Sequence, residues 1–145
     1  MLQGWTDDSN AAKRFGLYRV LVPSGTKMES TDNIITIAFQ KKDSSKPGLD
    51  TLENFFRVDV QDTLAQFPDT QFARWQPSKL DPAKLNFMSL EIYGKKKNKP
   101  SPQHFIIVEA PDGFFSVSLT AANRDDLKLP LYDDFFNSLT LESAK

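Results

Sequence analysis

Two apolar runs separated by Pro111-Asp112-Gly113 set the terms on which the rest of the chain can pack. Gln103 to Ala110 and Phe114 to Ala121 each have strand composition. The tripeptide between them is turn chemistry: Pro presets φ, Asp bonds to the local backbone, and Gly accepts a left-handed conformation. Together they predict a β-hairpin. Phe105-Ile106-Ile107-Val108 is apolar on both sides, which suits the interior of a sheet covered on both faces. The returning strand is one-sided, with Phe115, Val117, Leu119 and Ala121 on one face and Phe114, Ser116, Ser118 and Thr120 on the other. Residues Pro130 to Leu141 then place Leu131, Tyr132, Phe135, Phe136 and Leu139 at helical spacing, so the hairpin offers the nearest apolar surface for a helix to cover. Ser138 to Leu141 is read as a short closing strand.

Upstream the pattern continues. Leu17 to Val22 and Ile34 to Phe39 alternate as strands. Asp50 and Glu53 have the spacing of a capping box, and Leu49, Leu52, Phe55, Phe56, Val60, Leu64 and Phe67 share one side of a helix that Pro68 closes. Asp59 and Thr63 interrupt that apolar arc, which either narrows the buried stripe or leaves polar groups in need of partners. Phe72 to Trp75 is a short strand before a Pro-broken stretch, and Leu85 to Tyr93 is a longer one that should neighbour the hairpin. Residues 1–14 are expected to be a partly ordered polar lead-in with Trp5 as its single anchor, ahead of one domain over 15–145. Runs of strands broken by few helices predict an α+β fold: an antiparallel sheet of about six strands sandwiched between helices.

A chain of 145 residues with 12 Phe can bury an aromatic core as one domain. Eighteen Lys and Arg against nineteen Asp and Glu leave a formal charge of -1, which removes the global electrostatic case for nucleic acid or an anionic membrane. No run is apolar and long enough for a spanning helix, and the N-terminus lacks the apolar middle section of a signal peptide, so an export signal would have to precede the sequence. The absence of cysteine excludes disulfides, thiolate metal sites and cysteine nucleophiles.

Catalytic signatures are not visible. His104 is the single histidine, so no metal site built on paired histidines can form within one chain, and it is assigned a surface or strand-end role. Ser116 and Ser118 lack the Gly-x-Ser-x-Gly elbow. Asp125-Asp126 suits a loop and Asp133-Asp134 the first turn of a helix, where the dipole favours carboxylates. An enzyme would have to use Glu91, Glu109 and Asp59, which have no visible pairing. Two places suit a protein partner. Lys95, Lys96, Lys97 and Lys99 concentrate positive charge without the interleaved aromatics that single-stranded nucleic acid would stack on. Phe72 and Trp75 could form an aromatic recognition patch, or cover an edge of the core.

The stretch Phe15-Gly16-Leu17-Tyr18-Arg19-Val20-Leu21-Val22-Pro23, the helix beginning near Leu49, Gly113 to Thr120, and Phe135-Phe136-Asn137-Ser138-Leu139 together resemble the PsbP-like superfamily. That group includes photosystem II extrinsic proteins, a Ran-binding nuclear transport factor and many exported bacterial proteins. The resemblance spans residues 15 to 142 and rests on pattern. It implies a helix-covered antiparallel sheet, no cofactor, and a non-catalytic binding or accessory role toward a protein partner it does not specify. It also implies an exported protein, periplasmic or extracellular, with a cytoplasmic one as the alternative. A cystatin-like or nuclear-transport-factor-like curled sheet is the structural alternative. The functional alternative is a carrier of a small apolar ligand held between sheet and helix, which a cavity beside Asp59 and Thr63 would favour.

Overall fold

The computed structural model describes residues 4–28, 31–94 and 102–139. Its elements run β1 (Trp5–Asp7), α1 (Ser9–Phe15), β2 (Arg19–Pro23), β3 (Ile34–Lys41), α2 (Leu52–Gln66), β4 (Thr70–Ala73), β5 (Phe87–Gly94), β6 (Gln103–Ala110), β7 (Gly113–Thr120), a 3-10 turn (Asp126–Lys128) and α3 (Pro130–Asn137). The strands form one sheet in the order β1-β2-β3-β7-β6-β5-β4, and every pairing is antiparallel. The expected hairpin is present as β6 and β7, with β6 in the sheet interior between β5 and β7 as its two-sided apolar sequence requires.

Alternation along the strands divides the core into two layers. On one face Leu21, Ile35, Ile37, Ile106, Val108, Val117 and Leu119 meet Tyr132, Phe135 and Phe136 of α3. On the other, Leu52 and Phe56 of α2 lie on Ile92, Phe105, Ile107 and Phe114, while Ala11 and Ala12 of α1 cover Val20 and Val22. Pro130 starts α3 where a missing N–H costs nothing. Ser138 closes it, its backbone N–H donating to the Asp134 and Phe135 carbonyls and its hydroxyl to Phe135. The helix therefore ends at Asn137, and the expected closing strand over 138–141 falls partly outside the described residues.

The lead-in reading of residues 1–14 does not describe residues 5–14, which form β1 and most of α1. Trp5–Asp7 pairs with β2, and Trp5, only 2 % exposed, packs its ring 5.6 Å from Tyr132 and 6.3 Å from Phe135. Asp8 then caps α1: one carboxylate oxygen accepts from Ala11 N–H and the other from Met28 N–H, each at 3.1 Å. Gly16, at φ 67°, ends the helix in the left-handed conformation that glycine takes readily. An Asp eight residues before a Gly, bracketing Ala11-Ala12, is the signal that this stretch carried.

Two further expectations change. The N-cap of α2 is Thr51, whose hydroxyl accepts from Asn54 N–H at 3.2 Å, while Asp50 stands one residue earlier and accepts from Thr51 N–H and the Asn54 amide. Gly113 does not supply a left-handed turn residue. The positive-φ glycines are Gly4, Gly16, Gly25 and Gly48. Gly113 is the first residue of β7, opposite Lys41, and a Cβ there would sit 2.5 Å from the Gln40 carbonyl oxygen and collide with the Phe39 ring. Close approach of backbone, rather than φ, requires glycine here.

Candidate functional site

Three regions of the molecule carry more than packing. The first is a buried polar cluster beneath Trp75. His104 and Glu91 face each other across β5 and β6 on the side covered by α3, with His104 5 % and Glu91 9 % exposed. The His104 Nε2 is 3.4 Å from Glu91 Oε1, and with its proton on Nε2 the ring donates to the carboxylate. Arg124 donates to the other oxygen through Nε at 2.8 Å and through Nη2, and its guanidinium lies 3.9 Å from the Tyr93 ring centre. Trp75 stacks on His104 at 3.9 Å and 10°, and the edge of Phe136 closes the stack at 4.9 Å from Trp75. Burial pushes the His104 pKa below the usual histidine value, against the upward pull of Glu91 and, more weakly, Asp133. The cluster joins β5, β6 and α3, buries the imidazole under an indole ring and leaves Arg124 as its half-exposed member.

The second region is a cleft of about 230 Å³ on the opposite face, between the second half of α2 and the sheet. Asp59, Val60 and Thr63 form its helix wall, and Ile92, Gln103, Phe105 and Ser118 form its floor. It exists because α2 lies down on the sheet only at its N-terminal end. Leu52 and Phe56 are buried and Phe55 and Val60 are packed against that layer, but Leu64 is 39 % and Phe67 41 % exposed. The floor beneath this part of the helix mixes polar Gln103 and Ser118 with Ile92 and Phe105. The Thr63 hydroxyl donates to the Asp59 backbone carbonyl at 3.0 Å. The Asp59 carboxylate has no hydrogen-bond or cationic partner among the described residues, and burial, then Asp62, raises its pKa.

The third region is an aromatic corner on the face that α3 covers. Phe39 and Phe115 are directly opposed on β3 and β7, with ring centres 4.8 Å apart, and Tyr18 meets Phe115 edge-on at 5.4 Å. Tyr18 is 62 % and Phe39 37 % exposed, because α3 reaches only as far as Val117, Leu119 and the strands beside them.

Phe72 and Trp75, expected as one aromatic patch, do not come together. Phe72 is paired with Ile92 on the α2 side and is half-buried against that layer, whereas Trp75 lies on the opposite face over His104. Lys95, Lys96, Lys97 and Lys99 lie outside the described residues. His104 is corrected from a surface position to a buried one: it is near the start of β6, but Trp75 and Phe136 cover it. The three carboxylates named for catalysis are dispersed. Glu91 binds Arg124, Glu109 binds Lys42 at 3.0 Å and Asn86 at 2.7 Å, and Asp59 faces the cleft. Among the described residues no three His, Asp or Glu side chains are placed to hold a metal ion, and no helix is long and apolar enough to cross a membrane.

No protein-family model and no curated protein matches the sequence. Among solved structures, the chain is similar to the solution structure of cyanobacterial PsbP (CyanoP) from Synechocystis sp. PCC 6803. The TM-score is 0.55 at 16 % identity, over 94 % of this chain and 80 % of that one. The fold is PsbP-like. In this chain α3 follows the last hairpin, a placement that favours a PsbP-like sheet over the cystatin-like alternative. Within this PsbP-like fold, sequence reasoning missed Tyr18, Phe39 and Arg124. Tyr18 and Phe39 pattern with the apolar residues of their strands, and a strand period does not mark which positions a covering helix leaves open. Arg124 sits in a loop with no local pattern to mark it.

Proposed function

We propose that this PsbP-like domain is a non-catalytic accessory module that binds a protein partner through the corner formed by Tyr18, Phe39 and Phe115. The observation that carries the reading is Tyr18 and Phe39, both more than a third exposed, each packed on the Phe115 ring of a long-paired sheet. Aromatic side chains on a pre-ordered surface lose little entropy on docking, and they concentrate binding energy at protein interfaces. Rigidity comes from β3 and β7, which pair along eight residues each. Two of the three carboxylates an enzyme would use are engaged elsewhere, Glu91 with Arg124 and Glu109 with Lys42. An exported location, periplasmic or extracellular, belongs to the same reading and rests on the superfamily resemblance and the cysteine-free composition.

A photo-crosslinking residue introduced at Tyr18 in cells of the source organism tests it, with the same residue at Gln66 on α2 as the control. The expected result is a discrete protein adduct from position 18 that disappears when Phe39→Ser is added, with the fold intact by circular dichroism. Equal adducts from both positions, or an adduct indifferent to Phe39→Ser, would overturn the reading.

A further inference from the structure

The cleft beside α2 lies on the opposite face of the sheet from the aromatic corner, and its chemistry differs. One wall carries a carboxylate with no partner among the described residues, Asp59, and the floor carries the Gln103 amide and the Ser118 hydroxyl. Val60, Ile92 and Phe105 supply the apolar remainder. Asp59 is half-buried, and a carboxylate partly withdrawn from water without a protein donor carries a desolvation cost that an ion with N–H donors relieves. We propose that this cleft binds a small organic ammonium, a primary amine on a short apolar body, with Asp59 as its counter-ion.

Size and donor set narrow the ligand. An enclosed cavity of ~150 Å³ accommodates benzene, and this cleft measures about 230 Å³, which leaves room for an amine with a short hydrocarbon chain. A primary ammonium has three N–H groups. The Asp59 carboxylate, the Thr63 hydroxyl and the Ser118 hydroxyl or Gln103 amide oxygen can accept them, while Val60, Ile92 and Phe105 take the chain. A calcium ion is a poor fit, since its protein sites gather several carboxylate and carbonyl oxygens and Asp59 is the one carboxylate lining the cleft. An anion would meet Asp59 and, behind it, Asp62. A purely apolar guest, as in the carrier alternative drawn from the sequence, would leave the carboxylate unpaired.

The probe is n-butylammonium chloride titrated into the full chain labelled with nitrogen-15, with 1-butanol and sodium butyrate as neutral and anionic counterparts and sodium chloride as the blank. Expected are saturable amide shifts at Val60, Ile92, Gln103 and Ser118 with the ammonium. Affinity for 1-butanol, and for the ammonium in Asp59→Asn, should be weaker by about tenfold or more. Asp59→Asn should melt at or above the wild-type temperature, because it removes a partly desolvated charge next to Asp62. If that variant fails to fold, the ratio of ammonium to butanol affinity on the wild type decides the matter alone. Equal binding of 1-butanol, undiminished ammonium binding in Asp59→Asn, or no saturable shift beyond the chloride blank would each overturn the proposal. None of these outcomes touches the aromatic corner.

Discussion

Acidification between pH 7 and 5.5 should destabilise this protein through a single side chain. His104 is 5 % exposed, stacked under Trp75 at 3.9 Å, and held below its ordinary pKa mainly by burial, with Glu91 at 3.4 Å and then Asp133 opposing the shift. Because the folded value lies below the unfolded one, the unfolded chain takes up the proton first. Stability is complete above about pH 6.5, the unfolded histidine value, and declines as pH falls from there toward the folded value. One histidine can contribute at most one proton, so the slope cannot exceed ~1.4 kcal/mol per pH unit. A chain of 145 residues has an unfolding entropy of roughly 0.3 kcal/mol/K, which limits the shift to about 4–5 °C in Tm per pH unit. The carboxylates held below their usual range, Asp8, Asp43, Asp50 and Glu109, contribute only at lower pH, where they protonate. Asp59, whose pKa is raised, acts in the opposite sense and equally in wild type and variant. Calorimetry of wild type and His104→Gln from pH 7.5 to 5.5 isolates the histidine, and the single imidazole resonance reports its titration directly. A ring titration midpoint at or above the unfolded value, or the same slope in His104→Gln, would refute the argument.

Further outcomes follow from the packing. Gly113→Ala should lower Tm by roughly 3–10 °C, from ~1–3 kcal/mol of overpacking against the Gln40 carbonyl and Phe39; an unchanged melt would show that β3 yields freely. Trp5→Ala should cost ~3–5 kcal/mol in denaturant unfolding, and Trp5→Phe less, because Trp5 is a core residue beside Tyr132 and Phe135. A negligible cost would return residues 5–14 to the status of an appendage. Crosslinking from Tyr18 and ammonium binding beside Asp59 test the two surfaces separately.

Much of the fold was legible because it is written in local periodicity. The two-sided apolar run of β6 required a covered sheet interior, and Phe135 and Phe136 lie on Val117 and Leu119 as the spacing of α3 demanded. The seventh strand, β1, was not legible: three residues with Trp5 alone pointing inward make no pattern. The stripe on α2 was over-read for a related reason. Leu64 and Phe67 fall on the apolar side of the helix yet stay more than a third exposed, because a helical period says nothing about what lies opposite.

The candidate sites divide along the same line. Asp59 and Thr63 stood out in sequence as polar breaks in an apolar arc, and they do line a cleft. Glu91, His104, Arg124 and Trp75 did not, since the contacts among them join positions 13 to 33 residues apart through strand register, a loop and a stacked indole. Residue order alone determined that the chain must build a two-layered, helix-covered antiparallel sheet, because burial of alternating and helical apolar patterns admits few arrangements. Which carboxylate meets a cation, which one is left bare in a cleft, and which aromatic rings stay in water were decided only in three dimensions. Those outcomes depend on where the helices stop covering the sheet, and coverage is a property of the packed molecule that no local pattern contains.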